Sequence, residues 1–322
     1  MSCDVIITYC WNRVGYNILR SLSSHGLRVV VADTSAKNIC SMSKYNSGYF
    51  VYPDPFTAED AFIECLVKKV EELQPKMLLP THDESVIIMR NRHRFPNDLV
   101  IPYVDEKLLL RLTDKKESTQ IAQEAGIEIG ETGAIKVNKL MRTSVENIYA
   151  CGDCAEKTHI VSGKKVWIPL GSTANKEGRC AAMNAAGVYC EFEGVLGSMV
   201  TRCLNTTIAM TGLTEKQAQE IGFKPVSVIV NKYDRVAYMP GTDEITLKLV
   251  ADKITGLILG AQAVGSIGAD KRVNTITSAL IGHLTVEEFS NNDLTYSPAY
   301  SPTIDPLLNA VQILCNKTAR SC

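Results

Sequence analysis

The stretch DVIITYCWNRVGYNILRSLSSHGLRVVVAD, residues 4–33, decides the fold class of the first part of the chain. Residues 4–9 form a short apolar run that predicts a strand, and residues 27–32 predict a second one. Between them, three apolar side chains recur at helical spacing and a glycine marks the end of the helix: Val14, Ile18, Leu22 and Gly26. This order predicts a βαβ unit with parallel strands and a right-handed crossover.

Helical and extended patterns continue to alternate along the rest of the chain. Up to residue 126 they predict helices at about 57–73 and 105–125 and a strand that begins at residue 77. From 127 to 200 they predict two short strands, 133–138 and 143–150, and a helix at 173–187. Beyond 200 they predict strands at 204–211, 225–232, 244–251 and 256–264 and helices at 214–221 and 269–283. Prolines at 298, 302 and 306 exclude a regular helix or a central strand there.

The composition is that of an ordinary globular chain of 322 residues with a formal net charge of −1. A net charge this close to zero gives no reason to expect nucleic acid or an anionic membrane as a partner. No apolar run approaches the ~20 residues of a membrane-spanning helix, and the N-terminus lacks the basic start of a signal peptide, so we expect a cytoplasmic protein. The 11 cysteines are scattered without paired spacing, which argues against a disulfide scaffold or a four-cysteine zinc site.

The segment NIYACGDCAE, residues 147–156, allows two interpretations. Cys151 and Cys154 could form a redox dithiol. Alternatively, Gly152 and Asp153 follow a short apolar run, where a turn could bring backbone and one carboxylate against a cofactor. The residue pattern by itself does not choose between a thiol site and a binding turn.

The first 128 residues lack the glycine-rich GxGxxG turn of a dinucleotide site, because only Gly15 follows the first strand. Segments 15–33, 78–84 (LLPTHDE) and 112–127 (LTDKKESTQIAQEAGI) resemble the domain that precedes the ATP-grasp fold in carboxylate–amine ligases. The lobes that would hold ATP and magnesium have no counterpart here. We interpret the run His82, Asp83 and Glu84 as a polar turn rather than a metal site, and we predict no metal centre.

The remaining chain carries several separated motifs in order: residues 133–156, 168–187 (IPLGSTANKEGRCAAMNAAG), 210–218 (MTGLTEKQA) and 293–306 (DLTYSPAYSPTIDP). These resemble the pyridine-nucleotide–disulfide oxidoreductases of the coenzyme A-disulfide reductase and NADH oxidase type. The resemblance implies FAD as cofactor. It implies that Asp153 accepts a hydrogen bond from the ribityl chain while Gly152 allows close approach. It also implies that amides around Thr173 and Ala174 face the flavin's pyrimidine edge.

The resemblance further implies a homodimer in which Tyr238 and Tyr300, with Tyr296 beside them, reach the partner's active site and engage a thiol, a disulfide or coenzyme A. No catalytic residue is assigned, because the family's redox cysteine and NAD(P)H unit have no match in the sequence. We therefore expect a partial oxidoreductase that does not turn over alone. A ligase fragment and a non-catalytic dimerisation module are the alternatives.

The two resemblances together predict an α/β protein built as a fusion of partial domains. Residues 1–128 would form the N-terminal parallel βαβ domain. Residues 129–195 would form a short FAD-domain remnant, and residues 196–322 would form an α+β dimerisation domain.

Overall fold

A computed structural model describes residues 3–318 of the chain; Cys322, one of the cysteines counted above, lies outside them. The chain divides into two compact units, residues 1–118 and residues 119–322. Within the described range, none of the helices is both long enough and apolar enough to cross a membrane.

The N-terminal unit contains a four-stranded parallel sheet in the order β3-β2-β1-β4. Its strands are β1 (Val5–Ile7), β2 (Val29–Asp33), β3 (Gly48–Val51) and β4 (Met77–Leu79). The first two strands are buried at every position, as expected of parallel strands covered on both faces. The parallel βαβ unit predicted from residues 4–33 is confirmed, since β1 pairs with β2 from Val5↔Val29 to Ile7↔Val31.

Among the described residues, four α-helices lie in this unit: α1 (Arg13–Ser24), α2 (Glu59–Leu73), α3 (Glu84–Arg90) and α4 (Glu106–Thr113). The helix α5 (Lys115–Glu124) crosses the boundary at residue 118. The side chain of Asn12 caps α1 by accepting a bond from the Gly15 amide at 2.9 Å. Two buried cysteines, Cys10 and Cys40, both 0% exposed, pack beside β1 and β2 in the core.

The single helix predicted at 105–125 is wrong in one respect, because α4 and α5 are separate helices. Asp114 between them has extended backbone, with φ −84° and ψ 119°. Its carboxylate accepts a bond from the Glu117 amide at 3.1 Å, and so supplies the first turn of α5 with the acceptor that an N-cap provides. The strand predicted from residue 77 ends at Leu79, and Glu84 already opens α3.

The first part of the C-terminal unit is largely irregular. It contains the two-stranded ladder β5 (Lys157–Thr158) and β6 (Lys165–Val166) and the helix α6 (Gly171–Ala185). The strands predicted at 133–138 and 143–150 do not form. Those segments make isolated bridges instead, including Ile135↔Ala155 and Arg142↔Tyr149. Their apolar side chains, such as Ile135 and Ala150, are nevertheless buried, so burial and not a sheet explains the apolar pattern.

The second part is an antiparallel sheet in the order β7-β8-β11-β10-β9. Its strands are β7 (Met199–Cys203), β8 (Thr206–Gly212), β9 (Pro225–Tyr233), β10 (Glu244–Asp252) and β11 (Ile258–Gly265). The helices are α7 (Glu215–Glu220), α8 (Ala269–Ile281), α9 (Val286–Ser290) and α10 (Pro306–Cys315). The predicted strand 204–211 is the second arm of a hairpin, because Leu204 takes a turn conformation with φ +53°.

Alternate residues of β10 point into the core of this sheet, and α8 and α10 supply the facing side chains. Leu247, Ile276 and Val311 are all 0% exposed in one cluster. The tail between α9 and α10 is free of helix and strand, as its prolines predict, and α10 begins at Pro306 where a missing amide is tolerated.

The tail is fixed to the core by a buried ion pair. Arg272 of α8 donates from Nε and Nη2 to the Asp305 carboxylate at 3.1 and 2.8 Å. Arg272 also donates to the carbonyl of Asp234 at 2.9 Å. Asp305 in turn caps α10 through the Leu307 amide at 2.8 Å. One carboxylate therefore holds both the end of the tail and the start of the last helix.

Candidate functional site

The segment around Cys151 forms a tight turn that requires its glycine. Residues Gly152–Cys154 make one turn of 3₁₀ helix, and Gly152 is buried with φ +78°. A Cβ atom at this position would lie 3.4 Å from the Cβ of Ala174 in α6. The turn thus brings two of the sequence-predicted residues close together, and its left-handed backbone at Gly152 is the conformation that favours glycine.

Asp153 is the exposed residue of that turn, while its neighbours on either side are at least partly buried. Its carbonyl oxygen accepts a bond from the indole Nε1 of Trp167 at 2.8 Å. The carboxylate therefore lies at the surface of a turn whose backbone is fixed from outside. An exposed carboxylate on a fixed backbone can accept a hydrogen bond from a ligand hydroxyl.

Two charged side chains that the sequence reasoning missed hold the turn from inside. The carboxylate of Glu177 accepts the Gly152 amide at 2.6 Å, and the Lys157 ammonium donates to the Gly152 carbonyl at 2.7 Å and to the Ala155 carbonyl at 2.8 Å. The two side chains contact each other at 3.5 Å and are 0% and 1% exposed. Burial, as the largest cause, raises the pKa of Glu177. An available sequence signal was Glu177, an acidic residue among the small residues of α6.

The helix α6 begins two residues earlier than the sequence suggests, which changes which amides face outward. The Ala174 amide donates to the Leu170 carbonyl at 2.9 Å and is thus used within the helix. The amides of the first turn, from Gly171 to Thr173, are those without an intrahelical acceptor. Thr173 is 8% exposed. Ala174 contributes a methyl group that packs against Gly152 rather than a donor.

The thiols of Cys151 and Cys154 are free and partly buried. The Cys154 thiol donates to the Cys151 carbonyl at 3.3 Å. Burial, the largest cause for both groups, raises their pKa and so disfavours the nucleophilic thiolate. These environments argue against a redox dithiol, and the binding-turn interpretation stays a prediction. Elsewhere in the described chain, Cys315 is disulfide-bonded.

Tyr238 and Tyr300 are exposed on the antiparallel-sheet part, at 75% and 74%, and Tyr296 is 52% exposed. The segment that leads into Tyr238 and the proline-rich tail that carries Tyr296 and Tyr300 are linked by a hydrogen bond from the Val236 amide to the Pro298 carbonyl at 3.3 Å. Tyr300 also borders a cleft of about 410 Å³ lined by basic and hydroxyl side chains that include Arg235, Lys271 and Thr275. The tyrosines thus form part of an exposed surface beside a polar cleft.

In the N-terminal unit, His82 and Asp83 lie in the polar turn that was interpreted from the sequence, whereas Glu84 is the first residue of α3. Glu84 is 0% exposed and accepts bonds from Thr8 Oγ1 at 2.6 Å and the Thr81 amide at 3.1 Å. The His82 ring stacks on Tyr9 with centroids 4.3 Å apart. Among residues 3–318, no group of three or more potential metal ligands is assembled.

Two sequence models of known families match the chain. Residues 113–178 match the pyridine nucleotide-disulphide oxidoreductases, and residues 201–307 match the dimerisation domain of the same class. The first match begins upstream of the domain boundary predicted at residue 129 and includes the helix α5. The resemblance of the N-terminal residues to the domain preceding ATP-grasp is not shown by these matches and stays a prediction.

Curated relatives agree with these families. The chain is 40% identical over 208 residues to an NAD(P)H coenzyme A polysulfide/persulfide reductase of Pyrococcus horikoshii, covering 65% of this chain and 46% of that protein. It is 30% identical over 195 residues to a coenzyme A disulfide reductase of Staphylococcus aureus, covering 60% of this chain and 44% of the relative. The chain thus spans about half the length of the curated relatives that it matches.

Solved structures show the same relationship. An NAD-dependent persulfide reductase from A. fulgidus is similar with a TM-score of 0.60 and 27% identity, over 98% of this chain and 56% of that one. These comparisons support a relationship of the chain to the pyridine nucleotide-disulphide oxidoreductases of the coenzyme A persulfide or disulfide reductase and NADH oxidase type.

Proposed function

We propose that residues 113–307 form the flavin-contacting and pairing part of a pyridine nucleotide–disulfide oxidoreductase that acts on a coenzyme A-linked thiol, persulfide or disulfide. The observation that carries the proposal is the glycine–aspartate turn packed on the start of α6. The family matches and the names of the relatives support it.

The donors and acceptors on this surface fit part of an FAD molecule. Asp153 would accept a hydrogen bond from a ribityl hydroxyl, because its carboxylate is exposed at the turn. The amides of Gly171–Thr173 would direct the positive end of the α6 dipole at the pyrimidine edge of the ring. When bound, the flavin would supply two-electron transfer between a nicotinamide and sulfur.

Pairing of two copies is the second part of the proposal. The family match over residues 201–307 and the exposed side chains around Tyr300 support it. These side chains are large, apolar or aromatic, and more than half exposed: Tyr238, Ile267, Tyr296, Tyr300 and Ile304. Exposed side chains of this kind suit an interface, where tyrosines are enriched. In a homodimer, Tyr238 and Tyr300 would contact the substrate that is bound by the partner subunit.

Two earlier predictions belong to this proposal and stay predictions: the domain division at residues 128 and 195, and the absence of turnover by the chain alone. A third, non-catalytic pairing, is the second candidate function, and the exposed side chains named above would serve it equally.

Titration of the full chain with FAD tests the flavin proposal. Loss of one charge-assisted hydrogen bond costs about 1.5–3 kcal/mol, so Asp153→Ala should weaken FAD binding roughly 10- to 100-fold. The control Glu146→Gln removes an exposed acid close in sequence and should leave the affinity unchanged. A wild-type chain that binds no FAD, yet sediments as a dimer, would leave only the pairing module.

A further inference from the structure

We propose that Lys157 and Glu177 are positioning residues that fix the Gly152–Asp153 peptide in the orientation that flavin binding requires. The inference rests on the proposed function, since it concerns the same turn. It assigns a role to two side chains that would contact no cofactor themselves.

The first argument is that the pair holds both polar groups of one residue. Glu177 accepts the N–H of Gly152 at 2.6 Å, while Lys157 donates to its C=O at 2.7 Å. These groups belong to the two successive peptide planes that flank the Gly152 Cα. Glycine has the widest backbone freedom of any residue, so fixing both planes removes that freedom at the position before Asp153.

The second argument is the direction in which Asp153 is left. The inner face of the turn is occupied by the pair, and Ala174 packs against Gly152 from α6. Lys157 additionally holds the carbonyl of Ala155 at 2.8 Å, which closes the turn on its far side. The Asp153 side chain is exposed, so the fixed backbone presents it outward.

The third argument is that this arrangement is not the simplest way to stabilise a core. Both side chains are almost fully buried, at 0% and 1% exposure. A buried ion pair can often be replaced by apolar residues of similar volume without loss of stability. An apolar pair, however, could not bind the Gly152 amide and carbonyl. The charged pair therefore adds orientation of this peptide to whatever packing it provides.

The test compares the full-length wild type with Lys157→Met, Glu177→Gln and the double variant Lys157→Met/Glu177→Leu. The matched control is Lys136→Met, which removes a lysine from an exposed pair with Glu128 at 2.8 Å. Three quantities are measured: the FAD dissociation constant, the melting temperature, and the hydrogen-exchange rate of the peptide that covers residues 151–155.

We expect Lys157→Met to weaken FAD binding at least 10-fold and to speed exchange in residues 151–155 at least 10-fold. The double variant should regain melting temperature relative to either single variant, yet keep the weakened FAD affinity and fast exchange. Lys136→Met should change none of the three. If the pair had a merely structural role, a double variant that regains melting temperature would also regain FAD affinity.

Each failure has a distinct signature. If the wild type binds no FAD, the proposed function fails, whatever the variants do, and the flavin role of the pair falls with it. Unchanged exchange in residues 151–155 would overturn the inference even where the wild type binds FAD. FAD affinity that follows melting temperature through the whole series would reduce the pair to a stabilising contact and would also overturn it.

Discussion

Removing the carboxylate of Asp305 should destabilise the C-terminal unit far more than an average substitution. Arg272 is 8% exposed and Asp305 13%, so Asp305→Ala leaves a nearly buried guanidinium without its counter-charge. Breaking a buried pair in this way costs about 3–5 kcal/mol. Loss of the cap on Leu307 adds about 1 kcal/mol. We expect a total of about 4–6 kcal/mol, a large part of the ~5–15 kcal/mol that stabilises a typical domain.

The assay must report on the C-terminal unit alone. Trp11 and Trp167 lie in different units, and Trp11 is 59% exposed, so a Trp11→Phe background leaves Trp167 as the only indole. In this background, at fixed protein concentration, Asp305→Ala should lower the melting temperature followed by fluorescence by about 8–24 °C. Asp305→Asn keeps an acceptor for the cap and should lose roughly half as much.

The double variant Arg272→Leu/Asp305→Asn tests the reason for the loss. It removes the stranded charge, so it should be more stable than Asp305→Ala. A shift below about 4 °C for Asp305→Ala would refute the reasoning, because the ion pair would then contribute no more than an exposed one. A double variant less stable than Asp305→Ala would refute it as well.

Three further outcomes are expected. Gly212→Ala should lower the free energy of unfolding, measured by chemical denaturation, by at least about 2 kcal/mol. The reason is that φ is +67° and that a Cβ would lie 2.4 Å from a carbonyl oxygen of β11. The control Gly222→Ala, where a Cβ would meet no atom within 4 Å, should lower it by about 1 kcal/mol. Burial lowers the pKa of His159 from 6.5, and its Nδ1 accepts a hydrogen bond from the Ser162 amide. The contribution of neutral His159 to the free energy of unfolding should therefore be fully present above about pH 6.5 and be lost as the pH falls below it. In melting curves, His159→Gln should flatten this pH dependence. Tyr300→Ala should leave the melting temperature of dilute protein unchanged but weaken dimerisation at least 10-fold in sedimentation, and an unchanged dimer would remove it from the interface.

Local patterns were sufficient where local interactions decide the structure. Apolar spacing across residues 14–22 and the glycine after it predict α1 because a helix buries one face at a fixed period. The same logic places β10, whose buried positions alternate over its first six residues, whereas β9 and β11 alternate only over short stretches. Every residue of β7 is exposed, so the sequence contains no alternation from which that strand could be predicted.

The candidate site shows the corresponding limit. The Gly152–Asp153 turn could be found because both residues are adjacent and chemically distinctive. The contacts of Lys157 and Glu177 could not, because the glycine amide and its acceptor are 25 residues apart in sequence. The start of α6 at Gly171, and so the identity of its outward amides, was also beyond a pattern that only marks small residues.

The buried cysteines of the N-terminal unit make its openings measurable by chemistry. Cys10 and Cys40 are 0% exposed, whereas Cys65 on α2 is partly accessible. An alkylating reagent can reach Cys10 and Cys40 only when this unit transiently unfolds. Cys65 reacts from the native state, so its labelling rate serves as the internal reference. With the labelled peptides resolved by mass, the ratio of the two labelling rates would therefore give the free energy of that opening at each temperature, without a denaturant.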